Sequence, residues 1–367
     1  MSKKRLEYMD MVKGVGILGI VVMHSTTVPL QAIWWLSSAA TPLFFLSSGM
    51  LIGYTKETEK KGRDVLGRKA RSLLLPFFSF SLLYILRDLI RVLMGISDME
   101  EVRLGLNDMV TLWGSSVLWF LPALFLAESM FIFLWKMFGG RKYVLAWTAL
   151  SCLFLTIVSF LINDALKPLE GFFLSKGMLY ALLCVVRTVL RAAYALPFVC
   201  AGFLLFETGR EFWEGKKEIS SALQLAGGIV LFFAGIPISV ANGYFDFRSL
   251  SFGETPVLFY LAAVLSFTGT LLVCKSIKPL RPLMFLGKNS LIIMATHIDF
   301  YFLYIGLNLA NRLNGFIPGW NRVFFFVNVI GAMLLLEVLC IVVINRFFPF
   351  LSGRGRGAKR NITGILR

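Results

Sequence analysis

The sequence predicts an all-α fold, a polytopic transmembrane bundle of about ten helices whose N- and C-termini are both cytoplasmic. Three observations support this prediction: the hydrophobic composition, the recurrence of long apolar runs, and the distribution of the basic residues. Hydrophobic residues make up 57% of the 367-residue chain, charged residues make up 16%, and the mean hydropathy is +0.76. A soluble domain of this size could not bury so much apolar surface, so most of the chain must be surrounded by lipid.

Apolar runs recur along the chain, and each is long enough to cross about 30 Å of hydrocarbon as an α-helix. We place the spans at 11–30, 32–54, 72–95, 115–137, 143–162, 189–207, 220–241, 255–274, 289–309 and 323–345. Arg187 and Arg191 interrupt the stretch 175–207. We expect both arginines near the outer interface, because their long side chains can reach water there.

Basic residues are concentrated in the segments that follow every second span. Most lysines and arginines lie in 56–71, 136–142, 210–217, 275–288 and 346–367. The positive-inside rule assigns these segments to the cytoplasm. The formal charge of +16 is therefore a topology signal. Because the basic residues do not form one basic domain, we expect no nucleic-acid partner.

The domain organisation follows from the same pattern. We interpret residues 1–348 as a single transmembrane domain and residues 349–367 as a short basic cytoplasmic tail. No polar interval is long enough for an appended soluble domain, so any chemistry must use the bundle and its short loops. The chain is expected to be a multi-pass plasma membrane protein in contact with lipid, and the sequence leaves its oligomeric state open.

Two sequence patterns do not indicate a functional site. The five cysteines lie within apolar runs and lack the spacing of metal ligands or redox pairs, so we expect no metal site and no disulfide. Gly14, Gly16 and Gly19 match a GxGxxG pattern, but a dinucleotide site needs a preceding strand and a βαβ unit. In a membrane helix the same spacing predicts close helix packing.

The two histidines of the chain, His24 and His297, both lie inside apolar runs. An ionisable side chain within hydrocarbon is costly, so each needs a partner, a water-filled cavity or a function. Lys13 precedes His24 by eleven residues, which places both on one helix face roughly 16 Å apart, and Asp10 lies on nearly the same face. This stripe is typical of a helix that lines a cavity. The alternatives are a structural hydrogen-bonding role for each histidine and an interfacial ion pair between Asp10 and Lys13.

Arg68 and Arg71 lie three residues apart at the start of the third predicted span, so they share a helix face. Two guanidinium groups at a cytoplasmic interface suit phosphate, because their fixed donors match phosphoryl oxygens. Topogenic charge or contact with lipid headgroups explains the pair equally well. Glu128 and Glu337 also fall within or near spans, but neither indicates a reaction by itself.

Six segments in a fixed order carry a family resemblance. The first is YMDMVKGVGILGIVVMH, with an aspartate, a basic residue and a ten-residue gap before His24. It is followed by TPLFFLSSGMLIG, RKARSLLLP, LWFLPALF, AYALPFVCAGFLL and FLGKNSLIIMATH. In their order and spacing these segments resemble the acyltransferase family 3 membrane proteins, which include the O-acetylases of bacterial surface polysaccharides. The resemblance covers nearly the whole chain.

The resemblance implies transfer of an acyl group, usually acetyl from acetyl-CoA, to a hydroxyl of a cell-surface saccharide or a lipid-linked glycan. It implies an inner-membrane location and an acyl-CoA donor, with no tightly bound cofactor. One departure concerns Lys13, because the family usually has arginine at this position. Lysine keeps the positive charge but loses the two-pronged contact that a guanidinium makes with an anion.

The resemblance also implies roles for individual residues. His24, grouped with Asp10 as catalytic, is the predicted general base, acting directly on the acceptor hydroxyl or as a transient acyl carrier. Asp10 and Lys13 would organise the cytoplasmic mouth, and Arg68 and Arg71 would hold the CoA phosphates. The residues expected to line the cavity or its acceptor side are Ser48, Trp119, Glu128, Asn289, Ser290 and His297.

Two other classes of protein compete with the enzyme. A transporter or flippase would use intramembrane histidine and glutamate to carry protons or bind solute. Against it, the sequence shows no inverted repeat and no pair of broken helices in corresponding halves. A structural or scaffold membrane protein is the third class, and the ordered polar motifs argue against it.

Overall fold

The computed structural model describes residues 5–25, 28–169, 177–217, 219–316 and 322–353. Most of these residues are helical, which confirms the predicted all-α class. Residues 354–367, which make up most of the predicted tail, lie outside the described residues. Residues 170–176 also lie outside them.

The helices are, in order, α1 (Glu7–His24), α2 (Leu30–Tyr54), α3 (Gly62–Lys69), α4 (Leu75–Leu93), α5 (Met99–Val110), α6 (Phe120–Met137), α7 (Val144–Leu166), α8 (Gly177–Thr208), α9 (Arg210–Trp213), α10 (Ser221–Asn242), α11 (Pro256–Ser276), α12 (Arg281–Lys288), α13 (Ser290–Thr296), α14 (Phe302–Phe316) and α15 (Arg322–Phe347). A π-helical turn, Ala70–Leu74, joins α3 to α4 without a break. Between α10 and α11 lies a small antiparallel hairpin of β1 (Phe245–Asp246) and β2 (Ser251–Phe252), with Phe245 opposite Phe252.

Eight helical segments in the described part of the chain are long and apolar enough to cross a membrane. They are α2, the continuous segment Gly62–Leu93, α6, α7 with the turn that follows it, α8, α10, α11 and α15. The protein is therefore a multi-pass membrane protein, as predicted. The first predicted span corresponds to α1, which carries Glu7, Asp10 and Lys13. The cytoplasmic placement of the termini stays a prediction.

The prediction that the ninth span is a continuous helix over 289–309 is wrong. The chain leaves the helix after Thr296 and begins α14 only at Phe302, and Tyr301 in the interruption has a φ of 60°. The Arg87 guanidinium binds both the backbone carbonyl and the carboxylate of Asp299, each at 3.0 Å. Hydropathy cannot reveal this break, because the polar contacts that hold the interruption come from a distant helix.

The expectation that Arg191 reaches interfacial water is also wrong. Arg191 lies within the 32-residue helix α8 and is completely buried. Its guanidinium donates to the carbonyl of Trp113 at 2.8 Å and to that of Arg248 at 2.9 Å and 2.5 Å, and it stacks 3.5 Å from the centroid of the Trp113 ring. The side chain therefore ties the loop before α6 to the β-hairpin. Burial is possible because carbonyl oxygens and an aromatic face replace water.

The hairpin packs into the bundle through its aromatic side chains. Phe245 stacks on Phe259 of α11 with ring centroids 3.7 Å apart, and Phe252 meets Tyr194 of α8 at 4.6 Å. Phe245 and Phe252 are buried. The hairpin is thus a fixed part of the core and holds the polar residues beside it in a defined position.

Several helix pairs cross at distances that only glycine allows, among them α2–α8 and α1–α12. At the α2–α8 crossing, a Cβ on Gly49 would collide with the carbonyl oxygen of Val199, and one on Gly202 would collide with that of Leu46. At the α1–α12 crossing, a Cβ on Gly14 would meet the backbone of Leu283 in the same way. The interpretation of the Gly14 pattern as close helix packing is confirmed.

The α2–α8 crossing generates a stability prediction. We expect Gly202→Ala to lower the free energy of unfolding by about 1–3 kcal/mol, because the added methyl group must push two backbones apart. Gly227→Ala in α10 is the matched control, since nothing lies within 4 Å of a Cβ at that position. Melting temperature in detergent measures both variants. Equal melting temperatures for the two variants would contradict the packing argument.

Candidate active site

A cavity of about 700 Å³ follows one face of α2. The α2 residues that line it recur every three or four positions, which is the spacing of one helix face. They are Ile33, Ser37, Thr41, Phe44, Ser48, Leu51 and Ile52, followed by Thr55 directly after the helix. Because 22 residues separate the first from the last, the cavity extends for roughly 30 Å along the helix axis, which is close to the thickness of the hydrocarbon core.

The two ends of the cavity differ in the elements that form them. One end, which we call the α3 end, is lined by Glu57, Lys69 and Ser72. The other end, which we call the hairpin end, is lined by residues of the loop before α6 and of the β-hairpin. They are Ser116, Val117, Trp119, Tyr244, Phe245, Asp246, Phe247 and Arg248. The α3 end adjoins the basic segment 56–71, which the charge pattern places in the cytoplasm.

Oppositely charged side chains form a cluster at the α3 end. The Lys69 ammonium lies 3.1 Å from the Glu128 carboxylate and 2.9 Å from the Glu57 carboxylate. Glu128 also accepts a hydrogen bond from the Ser48 hydroxyl. Glu128 and Ser48 are buried and Lys69 nearly so, which is tolerable in a membrane protein because the Lys69 ammonium compensates part of the carboxylate charge.

Lys13 faces the same part of the cavity but has a different environment. Its side chain lines the cavity, and among the described residues no hydrogen bond or ion pair to its ammonium is found. A cation held inside a membrane bundle without a carboxylate partner is costly unless water or a ligand compensates its charge. Lys13 therefore places an ammonium at the α3 end that no carboxylate contacts directly among the described residues, although Asp10 and Glu128 attract it at longer range.

His24 is the last residue of α1 and lies toward the hairpin end, 11 residues beyond Lys13. Its Nδ1 atom is 3.0 Å from the carbonyl oxygen of Ile20 and 3.2 Å from Nε2 of His297. The two rings are tilted by 49°, with centroids 5.1 Å apart. Nδ1 of His297 lies 2.9 Å from the carbonyl oxygens of Ile293 and Met294. The break after α13 thus brings the only two histidines of the chain into contact.

The structure brings most of the predicted site residues together. The cavity is lined by Lys13, His24, Ser48, Trp119, Glu128 and Ser290. Asn289 is buried beside them and bonds to the Phe285 carbonyl at 2.9 Å and to the Asn345 amide at 3.1 Å. Their roles in the reaction stay predictions.

Five predicted residues do not line the cavity, namely Asp10, Arg68, Arg71, Asn289 and His297. Asp10 forms a two-pronged ion pair with Arg5 at 2.6 Å and 2.7 Å, so it does not pair with Lys13. Arg68 and Arg71 are exposed at the α3 end, outside the cavity. Arg68 has 56% of its side chain exposed and a loose contact of 4.0 Å with Glu57.

Lys69 is one of the site residues that the sequence prediction missed, together with Glu57 and, at the hairpin end, Asp246, Phe247 and Arg248. The prediction chose Arg68 and Arg71 because they share a helix face, but that face points outward. A signal was present, because Lys69 lies four residues after Val65, which is fully buried. Residues i and i+4 share a face of a helix, so the apolar Val65 marks the inward side on which Lys69 lies.

The comparison with known families agrees with this membrane architecture. The acyltransferase domain family (acyltransferase family 3) matches residues 6–342, which is nearly the whole chain. The protein therefore belongs to this family and is an acyltransferase of the membrane-bound type. No curated protein and no solved structure matches the chain. The matched range includes every residue that lines the cavity.

The position of the two cavity ends can be tested by cysteine labelling in intact cells. If the α3 end is cytoplasmic, Ser116→Cys will react with a membrane-impermeant maleimide added outside, and Ser72→Cys will react only after permeabilisation. The unmodified protein measures the background from its five cysteines, four of which are buried. Labelling of Ser72→Cys from outside would reverse the proposed orientation.

Proposed function

We propose that this protein is an inner-membrane O-acyltransferase that moves an acyl group, most simply acetyl from acetyl-CoA, to a hydroxyl of a cell-surface saccharide or lipid-linked glycan. One observation carries the proposal within the acyltransferase family. A single cavity has the Lys13 ammonium, which lacks a direct ion-pair partner among the described residues, at one end and His24 toward the other. This arrangement suits the transfer of an acyl group from an anionic donor on one side to a neutral hydroxyl on the other.

The α3 end suits the donor. CoA carries phosphates, and Lys13 offers an ammonium without a carboxylate partner among the described residues. Lys69 adds a second cation, already balanced by Glu57 and Glu128. Arg68 and Arg71, exposed just outside the cavity, are retained as contacts for the more distant phosphates of CoA.

His24 suits the role of general base. An acceptor hydroxyl is a weak nucleophile, and a neutral imidazole can remove its proton as the oxygen attacks the thioester carbonyl. The new bond joins this oxygen to the acyl carbon, and the bond that breaks joins the acyl carbon to the CoA sulfur. The proton on His24 then passes to the departing thiolate, which leaves as the thiol of CoA and restores the neutral ring.

The hairpin end suits a polyhydroxylated acceptor. Trp119 and Phe247 stack with ring centroids 5.6 Å apart and planes 12° apart, which gives this end a flat aromatic wall. Asp246 and Arg248 line the cavity next to that wall. A carboxylate accepts hydrogen bonds from sugar hydroxyls and a guanidinium donates to their oxygens, while the aromatic rings contact the apolar face of a sugar.

The first functional prediction concerns the base. We expect His24→Ala to lower acylation by about 100-fold or more, because a positioned general base contributes on the order of 10²–10⁴ to a rate. The measurement is the acetyl content of surface glycans from cells that carry each form at matched protein levels, confirmed with purified protein and acetyl-CoA. Gly227→Ala serves as the control for expression and insertion. Normal acetylation by the His24 variant would remove it from the mechanism.

The second functional prediction separates the buried cation from the exposed arginines. We expect Lys13→Met to raise the KM for acetyl-CoA roughly tenfold, since a hydrogen bond to a charged group contributes about 1.5–3 kcal/mol. We expect Lys13→Arg to keep the KM near the native value. Arg68→Ala combined with Arg71→Ala should raise the KM only a few-fold, because exposed ion pairs contribute about 0–1 kcal/mol.

Initial rates over a range of acetyl-CoA concentrations measure these effects. Lys13 is the cleaner test of the donor site, because its removal leaves no buried carboxylate without a partner among the described residues. An unchanged KM for Lys13→Met would place the donor elsewhere. An unchanged KM for the double arginine variant would remove Arg68 and Arg71 alone from the donor site.

A further inference from the structure

The hydrogen bonds of His297 define which of its ring nitrogens carries the proton. Its Nδ1 atom lies 2.9 Å from two carbonyl oxygens, those of Ile293 and Met294. A carbonyl oxygen only accepts hydrogen bonds, so Nδ1 must be the donor. In a neutral imidazole one nitrogen donates and the other accepts. Nε2 of His297 therefore presents a lone pair.

That lone pair in turn defines the proton position on His24. Nε2 of His297 lies 3.2 Å from Nδ1 of His24, so Nδ1 of His24 must donate. The Ile20 carbonyl, 3.0 Å from the same nitrogen, is consistent with this direction. That carbonyl is shared with the backbone N–H of His24 in the helix, whereas the contact with His24 is the one hydrogen bond of Nε2 of His297 among the described residues. Both neighbours of Nδ1 are acceptors, so Nδ1 of His24 carries the proton and its Nε2 is left unprotonated.

Contacts from two other helices hold His297 in place. The segment around it is not helical beyond Thr296, so its position depends on side chains from α4 and α15. The anchoring hydrogen bonds join Tyr84 to the carbonyl of Ala295, Arg87 to Asp299, and Thr296 to Glu337. The residues before and after His297 are thus fixed independently of His24.

A shared metal ion is the other arrangement that brings two imidazole nitrogens this close. Among the described residues, no group of three or more histidine, cysteine, aspartate or glutamate side chains could hold a metal. The two carbonyl contacts of His297 and the Ile20 contact of His24 are accounted for by hydrogen bonds. The geometry therefore favours a proton between the rings.

We propose that His297 is a positioning residue that holds His24 in the Nδ1–H tautomer and directs its unprotonated Nε2 into the cavity. This inference rests on the proposed role of His24 as general base. A base must present a lone pair to the hydroxyl it deprotonates, and the opposite tautomer would present an N–H group there instead. His297 itself touches neither donor nor acceptor, and it acts through the ring of His24.

The two histidines of the chain make a direct spectroscopic test possible. Protein labelled only with ¹⁵N-histidine gives four ring-nitrogen signals, and His297→Gln leaves only those of His24. We expect the wild-type protein at neutral pH to show both rings with protonated Nδ1 and unprotonated Nε2. A protonated Nε2 on His24 in the wild-type protein overturns the proposal, whatever the variants do.

Two variants of His297 then separate positioning from packing. We expect His297→Leu, which fills similar space without an acceptor, to give a mixture of His24 tautomers and to lower kcat about 100-fold. The KM for acetyl-CoA should change less than twofold, because His297 does not line the cavity. His297→Gln restores an acceptor oxygen near the position of Nε2. Its kcat should therefore be at least tenfold higher than that of His297→Leu, and His24 should show a single tautomer.

The outcomes distinguish this inference from the proposed function. If His24→Ala abolishes transfer while His297→Leu keeps the His24 tautomer and kcat, the positioning role fails and the general base stands. If the tautomer follows His297 as expected but His24→Ala keeps full activity, the proposed function fails. If the purified wild-type protein contains stoichiometric metal and the His297→Gln variant does not, a metal ion lies between the rings instead of a proton. That result would overturn the inference.

Discussion

The close backbone crossings at glycine are the constraint on which the rest of the structure depends. Between helices in lipid there is little hydrophobic driving force, so association relies on tight van der Waals packing and on polar contacts. Gly49 and Gly202 let α2 and α8 touch backbone to backbone, and Gly14 does the same for α1 and α12. These crossings set the positions of α1 and α2, and all the cavity residues of these two helices follow from them.

Within this frame, each buried charge is balanced in a different way. Lys69 contacts two carboxylates, Arg191 is surrounded by carbonyl oxygens and an aromatic ring, and Lys13 is attracted by Asp10 and Glu128 only at longer range. Only Lys13 keeps its hydrogen-bond donors for a ligand, because the other two cations already use theirs among the described residues. The membrane therefore makes the distinction between structural and functional charges sharper than it is in a soluble protein.

The sequence predicted the membrane class, most of the spans, and the cavity positions of His24 and Lys13, because hydropathy and helix periodicity are local properties. It failed where a distant contact decides the outcome. The break after Thr296 depends on Arg87 of another helix, and the burial of Arg191 depends on two loops. Lys69 was hidden by its neighbouring arginines, although the buried Val65 marked its face. The contact between the two histidines could not be foreseen from positions 273 residues apart.

The length of the cavity matters for the leakage of ions across the membrane. A passage that extends for nearly the thickness of the bilayer is a route for protons and small ions unless something closes it. The middle of the passage is lined by apolar side chains, among them Phe44, Phe120 and Leu124, and the two phenylalanine rings meet edge to face at 5.8 Å. An apolar lining of this kind disfavours water in the middle of the passage. The acyltransferase must therefore prevent ion leakage as completely as a transporter does, although its own reaction transfers an acyl group between two molecules.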